Sequence, residues 1–206
     1  MKTIMGITFT SGIVHGAEEV EVVVAVSGIG KVFASMCASI MINEYKPDRV
    51  VNCGVGGALV KEMQIGDALI ATGAVQHDMD TSALGDPKGL ISGINVVELP
   101  CVCPELDGLL ELEIEGQRIK IWRGIVASGD QFVSEGAKKE QIAFEFGASV
   151  CEMEGAAIAQ VCYAAKVPCT ILRTVSDTLE GGNVDFEKFK EFSANISNSI
   201  LELMFF

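Results

Sequence analysis

Apolar segments of strand length alternate with segments of helical periodicity along most of this chain, and this alternation constrains the fold more than any other feature. In the second half, residues 121–127 and 169–175 have the length and composition of buried strands, whereas residues 153–166 and 186–204 have the spacing of helices. The apolar stripe of the last helix consists of Phe189, Phe192, Ile196, Ile200 and Leu203. The pattern predicts one layered α/β domain over residues 1–206, with helices on both faces of a sheet.

The first half follows the same alternation with shorter segments. Strands are predicted at residues 3–14, 20–26, 49–52 and 68–74, and a helix opens at Ser27-Gly28-Ile29-Gly30 and runs to Glu44. The glycine-rich residues 53–57 indicate a turn, and residues 76–120 are expected to be rich in loops.

Composition and charge narrow the class of protein. The formal net charge of −13 disfavours nucleic acid and anionic membranes as partners. No apolar run approaches the roughly 20 residues of a membrane-spanning helix, and residues 1–11 do not resemble a signal peptide. Seven cysteines without a CxxC pair favour buried thiols in a reducing cytoplasm, and two distant histidines argue against a zinc site.

Two segments near predicted strand ends carry residue types that suit a ligand, and ligands of such sheets bind at the carboxyl ends of the strands. The glycines of residues 53–57 fit either a plain tight turn or a backbone that a ligand approaches closely. Residues 128–132 follow a predicted strand, and the ring of Phe132 fits either the core or a stacking surface for a flat base.

A third segment combines two carboxylates. Glu154 lies at the start of a predicted helix, where the helix dipole stabilises it, and Asp177 follows a predicted strand, where turn aspartates are common. Each alone fits a structural role. Together they predict two carboxylates at adjacent strand ends of one sheet, which favours a functional site.

The order of six short motifs resembles the 5′-methylthioadenosine/S-adenosylhomocysteine nucleosidases of the purine nucleoside phosphorylase superfamily. The similarity extends from Thr3 to the C-terminal helix. It implies a three-layer α/β/α fold with a central mixed sheet, phosphorylase/hydrolase-like, and an enzyme that releases adenine by hydrolysis of an N-glycosidic bond. The motifs are Ser27-Gly28-Ile29-Gly30-Lys31, Asn52-Cys53-Gly54-Val55-Gly56-Gly57, His77-Asp78-Met79-Asp80, Ser128-Gly129-Asp130-Gln131-Phe132, Glu152-Met153-Glu154 and Ser176-Asp177.

The same resemblance implies roles for individual residues. Asp177 and Glu154 are expected to be catalytic: Asp177 protonates N7 of adenine, and Glu154 accepts hydrogen bonds from the ribose hydroxyls. The expected substrate contacts are Phe132 stacked on the base, the backbone of Val133 at its edge, Ser176 beside Asp177, Ile29 and Phe186 at the alkylthio group, and also Glu152, Met153, Arg173, Gly56 and Gly57. A small-molecule nucleoside, a homodimer, and no metal or organic cofactor are implied.

Three departures from the family pattern stand out. The family begins with a strand that ends in a Met-Glu-Glu-like segment and supplies the carboxylate that activates water, whereas this chain starts at what looks like the second strand. Glu18 and Glu19 match a surface hairpin and are not expected to replace that carboxylate, and an exposed sheet edge is expected. Val55 and Leu84 stand where the family often has a serine and a larger aromatic residue, which leaves the fine substrate preference open.

Two other functions remain open from the sequence. A phosphorolytic relative would need an anion site, but the four arginines (Arg49, Arg118, Arg123 and Arg173) form no cluster in the sequence. A non-catalytic binder of purine nucleosides would keep the stacking and ribose contacts without turnover.

Overall fold

The computed structural model describes residues 1–16, 19–114, 116–180 and 186–205, without the side chains of residues 186–188, 190 and 205. The strands in these ranges are β1 Lys2–Ile4, β2 Ile7–His15, β3 Glu19–Ala25, β4 Val50–Ala58, β5 Ala68–Gln76, β6 Leu99–Pro100, β7 Glu111–Ile114, β8 Gln117–Ser128, β9 Ala148–Glu152 and β10 Cys169–Asp177. The α-helices are α1 Lys31–Tyr45, α2 Gly136–Phe146, α3 Gly155–Ala165 and α4 Phe186–Phe205.

The central sheet is mixed and curls until it closes on itself. Its order is β6-β5-β10-β4-β9-β8-β7, and β5 pairs with β8 as well. The extra pairing joins β5, β10, β4, β9 and β8 in a ring. β4 and β10 run parallel to each other and antiparallel to their neighbours β9 and β5, while β8 runs parallel to both β5 and β9.

Strand register within this ring aligns a row of residues from four strands. Gly57 of β4 pairs with Asp177 of β10 on one side and with Cys151 of β9 on the other. The next residue of β9, Glu152, pairs with Ser128 of β8. The row places the ends of β8, β9 and β10 side by side, and the candidate site lies there.

Helices cover the sheet on opposite faces, which confirms the layered α/β fold. Leu69 and Ala71 of β5 pack in one apolar cluster with α1 and α3, whereas their neighbours Ala68 and Ile70 pack in a second cluster with α4. This is the alternation that a strand buried on both faces requires. Leu203 departs from the predicted stripe of α4, since its side chain is 45% exposed.

A separate antiparallel sheet of β1, β2 and β3 packs on α1 through a small apolar cluster. One continuous strand over residues 3–14 was expected, but a turn at Met5 and Gly6, with φ of 50° and 81°, divides it into β1 and β2. Among the described strands β3 pairs only with β2. Its other edge has no strand partner in these ranges, and Val24 on β3 is 62% exposed.

The expectation of a turn at residues 53–57 is wrong, because these residues form the second half of β4. Their glycines make room for neighbouring strands. A Cβ on Gly56 would lie 2.4 Å from Cγ1 of Val150, and a Cβ on Gly57 would lie 2.8 Å from Oδ2 of Asp177. A strand with side chains at these positions would clash with its partners.

Most predicted elements of the second half are confirmed, with shifted ends. The predicted strand 121–127 is the end of the longer β8, and the helix predicted from residue 153 begins at Gly155. Helix α2 and strand β9 were not predicted. Because they lie between β8 and α3, they shape the site directly.

Candidate active site

Asp177 is the last residue of β10, and two side chains fix its carboxylate. A register shift between Val175 and Asp177 marks a bulge at Ser176, and bulges re-aim side chains at strand ends. Oδ1 accepts a hydrogen bond of 2.7 Å from Oγ of Ser176, and Oδ2 accepts one from Nζ of Lys139. The side chain of Asp177 remains 18% exposed, so a ligand can reach it.

Lys139 was not predicted as a site residue. It lies on α2, its side chain is fully buried, and its ammonium also donates to the carbonyl of Thr178 at 2.7 Å. In the sequence it stands between Lys138 and Glu140, which is typical of a solvated helix face. The sequence pattern therefore carries no signal for its burial.

Glu154 is the N-cap residue of α3 and is half-buried. Its Oε1 accepts a hydrogen bond of 2.8 Å from the backbone N–H of Gly30, just before α1. Burial raises the pKa of Glu154, while the hydrogen bond from Gly30 partly offsets that effect. The carboxylate thus joins two helix starts and keeps lone pairs available for a ligand.

Glu152 has a different environment, although it is only two residues away. Its carboxylate accepts hydrogen bonds from the backbone N–H groups of Glu154 and Gly155 at 2.8–3.0 Å, from Oγ of Ser128, and from Arg173. Burial alone would raise the pKa of Glu152, but the guanidinium of Arg173 and these hydrogen bonds outweigh it, and the net pKa is lowered. Side chains of Glu152 and Arg173 are each 2% exposed.

A charged cluster lies beside Gly30 and joins motifs that are distant in the sequence. Nζ of Lys31 donates to Oδ1 of Asp78 at 2.6 Å and to Oε1 of Gln76 at 3.0 Å. Asp130 accepts from the backbone N–H of Lys31 at 2.7 Å and donates its own N–H to Asp78 at 2.9 Å. Burial would raise the pKa of Asp78, but Lys31 and the Asp130 amide reverse the shift and lower it. The cluster holds the loop after β8 against the start of α1.

Two large apolar side chains near these groups are exposed. Phe132 is 78% exposed and Ile29 is 76% exposed, so packing of Phe132 into the core is excluded. Val133 and Met153 are partly buried. The side chain of Phe186 lies outside the described residues.

The expectation that Glu154 and Asp177 follow adjacent strands is wrong, because β4 lies between β9 and β10. The two carboxylates belong to the same end of the ring through the pairings of Gly57. Gly56 and Gly57 of β4 therefore lie between the strands that carry the two carboxylates. Because they have no side chains, they leave the space there unfilled.

The arginines, the potential metal ligands and the helices of the described residues bear on anion binding, metal binding and membrane insertion, respectively. All four arginines are paired with carboxylates: Arg49 with Glu105, Arg118 with Glu111, Arg123 with Asp107 and Arg173 with Glu152. In the described ranges no group of three His, Cys, Asp or Glu side chains is arranged to hold a metal ion. None of the helices in these ranges is long and apolar enough to cross a membrane.

Comparison with known proteins places this arrangement in a family. The profile described as Phosphorylase superfamily matches residues 2–204. The chain belongs to the phosphorylase superfamily. The aminodeoxyfutalosine nucleosidase of Campylobacter jejuni is 42% identical over 186 residues, which cover 89% of this chain and 80% of that protein. The 5′-methylthioadenosine/S-adenosylhomocysteine nucleosidase of Staphylococcus carnosus is 38% identical over 187 residues, covering 89% and 81%.

Solved structures agree with this placement in the phosphorylase superfamily. A 5′-methylthioadenosine/S-adenosylhomocysteine nucleosidase from Helicobacter pylori with butyl-thio-DADMe-Immucillin-A has a TM-score of 0.85 and 35% identity, covering 98% of this chain and 86% of that one. The relatives are nucleosidases, that is, N-glycosyl hydrolases. The resemblance found in the motifs is therefore confirmed at the level of family and enzyme class.

Proposed function

We propose that this chain is a nucleosidase for adenine nucleosides with a modified 5′ position: 5′-methylthioadenosine, S-adenosylhomocysteine or aminodeoxyfutalosine. The observation that carries the proposal is the carboxylate of Asp177, which is fixed at both oxygens and still exposed at a strand end. The relatives named for these substrates support the class, and both kinds of relative have similar identity to the chain.

In this proposal Asp177 delivers a proton to N7 of the adenine as the C1′–N9 bond breaks. An ordinary aspartate, which titrates near pH 3.9, is a poor donor at neutral pH, so the proton must be held by the surroundings of Asp177. Glu154 accepts hydrogen bonds from the ribose diol, and its negative charge stabilises the positive sugar of an oxocarbenium-like transition state. Ser176 orients Asp177.

The base and the 5′ group have separate contacts in the proposal. Phe132 offers an exposed ring for stacking on adenine, and the backbone of Val133 lies next to it. Ile29 is an exposed apolar side chain close to Gly30 and hence to the Glu154 carboxylate, which suits an alkylthio group.

Glu152 and Arg173 have supporting roles in the proposal, in place of the direct substrate contacts expected from the sequence. Their charged groups are buried and bonded to each other and to the N-terminus of α3. Gly56 and Gly57 contribute by leaving space in β4. None of the described residues is assigned to activating the water.

The test is adenine release from 5′-methylthioadenosine by the purified chain, with and without inorganic phosphate, alongside Asp177→Asn. Release that does not depend on phosphate, and that is lost in Asp177→Asn while the nucleoside still binds, supports the proposal. Release only with phosphate would indicate phosphorolysis, although every arginine is already paired. Binding without release would indicate a nucleoside-binding protein.

We also propose that the chain works as a cytoplasmic homodimer. Its seven cysteines are free thiols, which suits a reducing compartment. Val26, Val32 and Phe33 are 86%, 77% and 53% exposed around the start of α1, an apolar surface that a second copy would cover. Sedimentation equilibrium should give twice the mass of the chain, and a single-chain mass at micromolar concentration would refute the dimer.

A further inference from the structure

Lys139 is the starting point, because a fully buried ammonium needs strong partners. Removing a charged group from water is unfavourable unless an opposite charge and hydrogen bonds compensate for the lost hydration. Lys139 has the carboxylate of Asp177 and the carbonyl of Thr178. Both partners lie at the end of β10, so α2 is anchored to the group proposed as the proton donor.

The sheet is shaped to accept this pair. A Cβ on Gly57 would lie 2.8 Å from Oδ2 of Asp177 and 3.2 Å from Nζ of Lys139. Any side chain at this position of β4 would displace one partner or both. The Lys139–Asp177 pair therefore requires a glycine at position 57.

The charged surroundings of the pair are balanced. On β9, burial raises the pKa of the Cys151 thiol to about 11, so this neighbour stays neutral at physiological pH. Glu152, the next residue, is neutralised by Arg173. On α2 itself, Lys138 and Glu140 flank Lys139 in sequence and have opposite charges. The Lys139–Asp177 ion pair is itself net-neutral, and these neighbouring groups add no net charge to it.

We propose that Lys139 is a positioning residue for the reaction, which holds Asp177 in place and shares with it the proton taken up by the leaving purine. The inference rests on the proposed nucleosidase function. It explains how an aspartate that faces an ammonium supplies a proton: the proton resides on Nζ in the resting pair and moves to Oδ2 as the purine becomes basic.

The proton and electron balance of this step is complete. The electron pair of the C1′–N9 bond moves into the purine, and the proton on Nζ of Lys139 passes through Oδ2 of Asp177 to N7, which leaves a neutral amine beside the Asp177 carboxylate. Water adds to C1′ and loses one proton, which returns to the pair through Asp177. The sum is nucleoside plus water giving adenine plus the free 5-substituted ribose.

Two substrates distinguish a loss of proton delivery from a general loss of active-site structure. The purine of 5′-methylthioadenosine needs a proton to leave, whereas the nitrophenolate of the 4-nitrophenyl glycoside of 5-methylthioribose leaves without being protonated. For Lys139→Met we expect kcat with methylthioadenosine to fall by about a hundredfold or more, and kcat with the nitrophenyl glycoside to change by less than about threefold. Lys138→Met, on the same helix, is the matched control and should leave both unchanged.

Lys139→Arg keeps the positive charge and adds donors, but a guanidinium does not release a proton in proteins. It should fold, as judged by its melting temperature, and show the same selective loss with methylthioadenosine. This variant also serves if Lys139→Met does not fold. Equal losses on both substrates, or full activity of Lys139→Arg, would overturn the shared proton. Absence of adenine release by the unmodified chain would instead refute the proposed function.

Discussion

The backbone N–H of Gly30 donates a hydrogen bond of 2.8 Å to the carboxylate of Glu154, across 124 positions of the chain. This contact ties the start of α1 to the N-cap of α3. Only one oxygen of Glu154 takes part in it, so the other remains available to the proposed ribose diol.

Glu154→Gln should therefore weaken both binding and turnover of the nucleoside. An amide keeps the acceptor for Gly30 but loses the charge that strengthens hydrogen bonds to the diol, a loss of about 1.5–3 kcal/mol. Because burial raises the pKa of Glu154 above its ordinary 4.5, the ionised form is lost early as the pH falls. KM of the unmodified chain should rise on acidification at pH values above 4.5, and KM of the variant should not follow that rise. A KM that is the same in the variant and the unmodified chain would contradict the ribose contact and leave Glu154 only its role as the N-cap of α3.

Phe132→Ala should reduce affinity for adenine by about 1–3 kcal/mol, the usual contribution of one stacked base. The ring is exposed, so its removal should leave the melting temperature within a degree or two, roughly the effect of an ordinary surface change. Phe144→Ala is the control, since that ring is 92% exposed on α2. Isothermal titration with adenine measures both, and equal affinities for the two variants would contradict the stacking role.

Arg173→Met should destabilise the fold by about 3–5 kcal/mol, because it leaves the buried carboxylate of Glu152 without its cation. Arg118→Met removes a pair in which the arginine side chain is 76% exposed, and it should cost less than about 1 kcal/mol. Urea unfolding of the two variants gives the comparison. Similar midpoints would mean that the Glu152–Arg173 pair adds no more than a surface pair.

His77 should make stability depend on pH between about 7.5 and 5.5. Burial lowers the pKa of His77, and its Nε2 has no hydrogen-bond partner among the described residues. Below the ordinary pKa of 6.5 the unfolded chain binds a proton that the folded chain does not, so the free energy of unfolding falls as the pH falls.

His77→Gln should flatten this dependence, whereas His15→Gln should leave it in place, because the His15 side chain is 72% exposed. These are the only two histidines of the chain. Urea unfolding at several pH values provides the measurement. Parallel curves for His77→Gln and the unmodified chain would refute the assignment.

The sequence predicted the parts of the fold that depend on apolar periodicity. Strands β5, β8 and β10 and helices α3 and α4 each contribute buried apolar residues to the core, and the spacing of these residues is visible in a local window of the sequence. The carboxylates at residues 154 and 177 were also placed correctly, at the start of a helix and the end of a strand.

Features set by partners distant in the chain could not be predicted in this way. The segment 53–57 looks like a turn, because glycine favours turns locally, and only the side chains of Val150 and Asp177 explain why a strand needs glycine there. Lys139 looks like a surface lysine for the same reason. Its burial depends on β10, which lies far along the chain.

Closure of the sheet into a ring has a consequence for how the protein acquires activity. Gly57, Ala127, Cys151 and Asp177 come into register only when strands separated by long stretches of sequence have paired. Pairings of this kind form slowly, because the entropy of closing long loops must be overcome before the contacts can form. During refolding, helix content should therefore recover before catalytic competence. The delay between the recovery of helix content and the recovery of activity would measure how long the sheet takes to close into the ring.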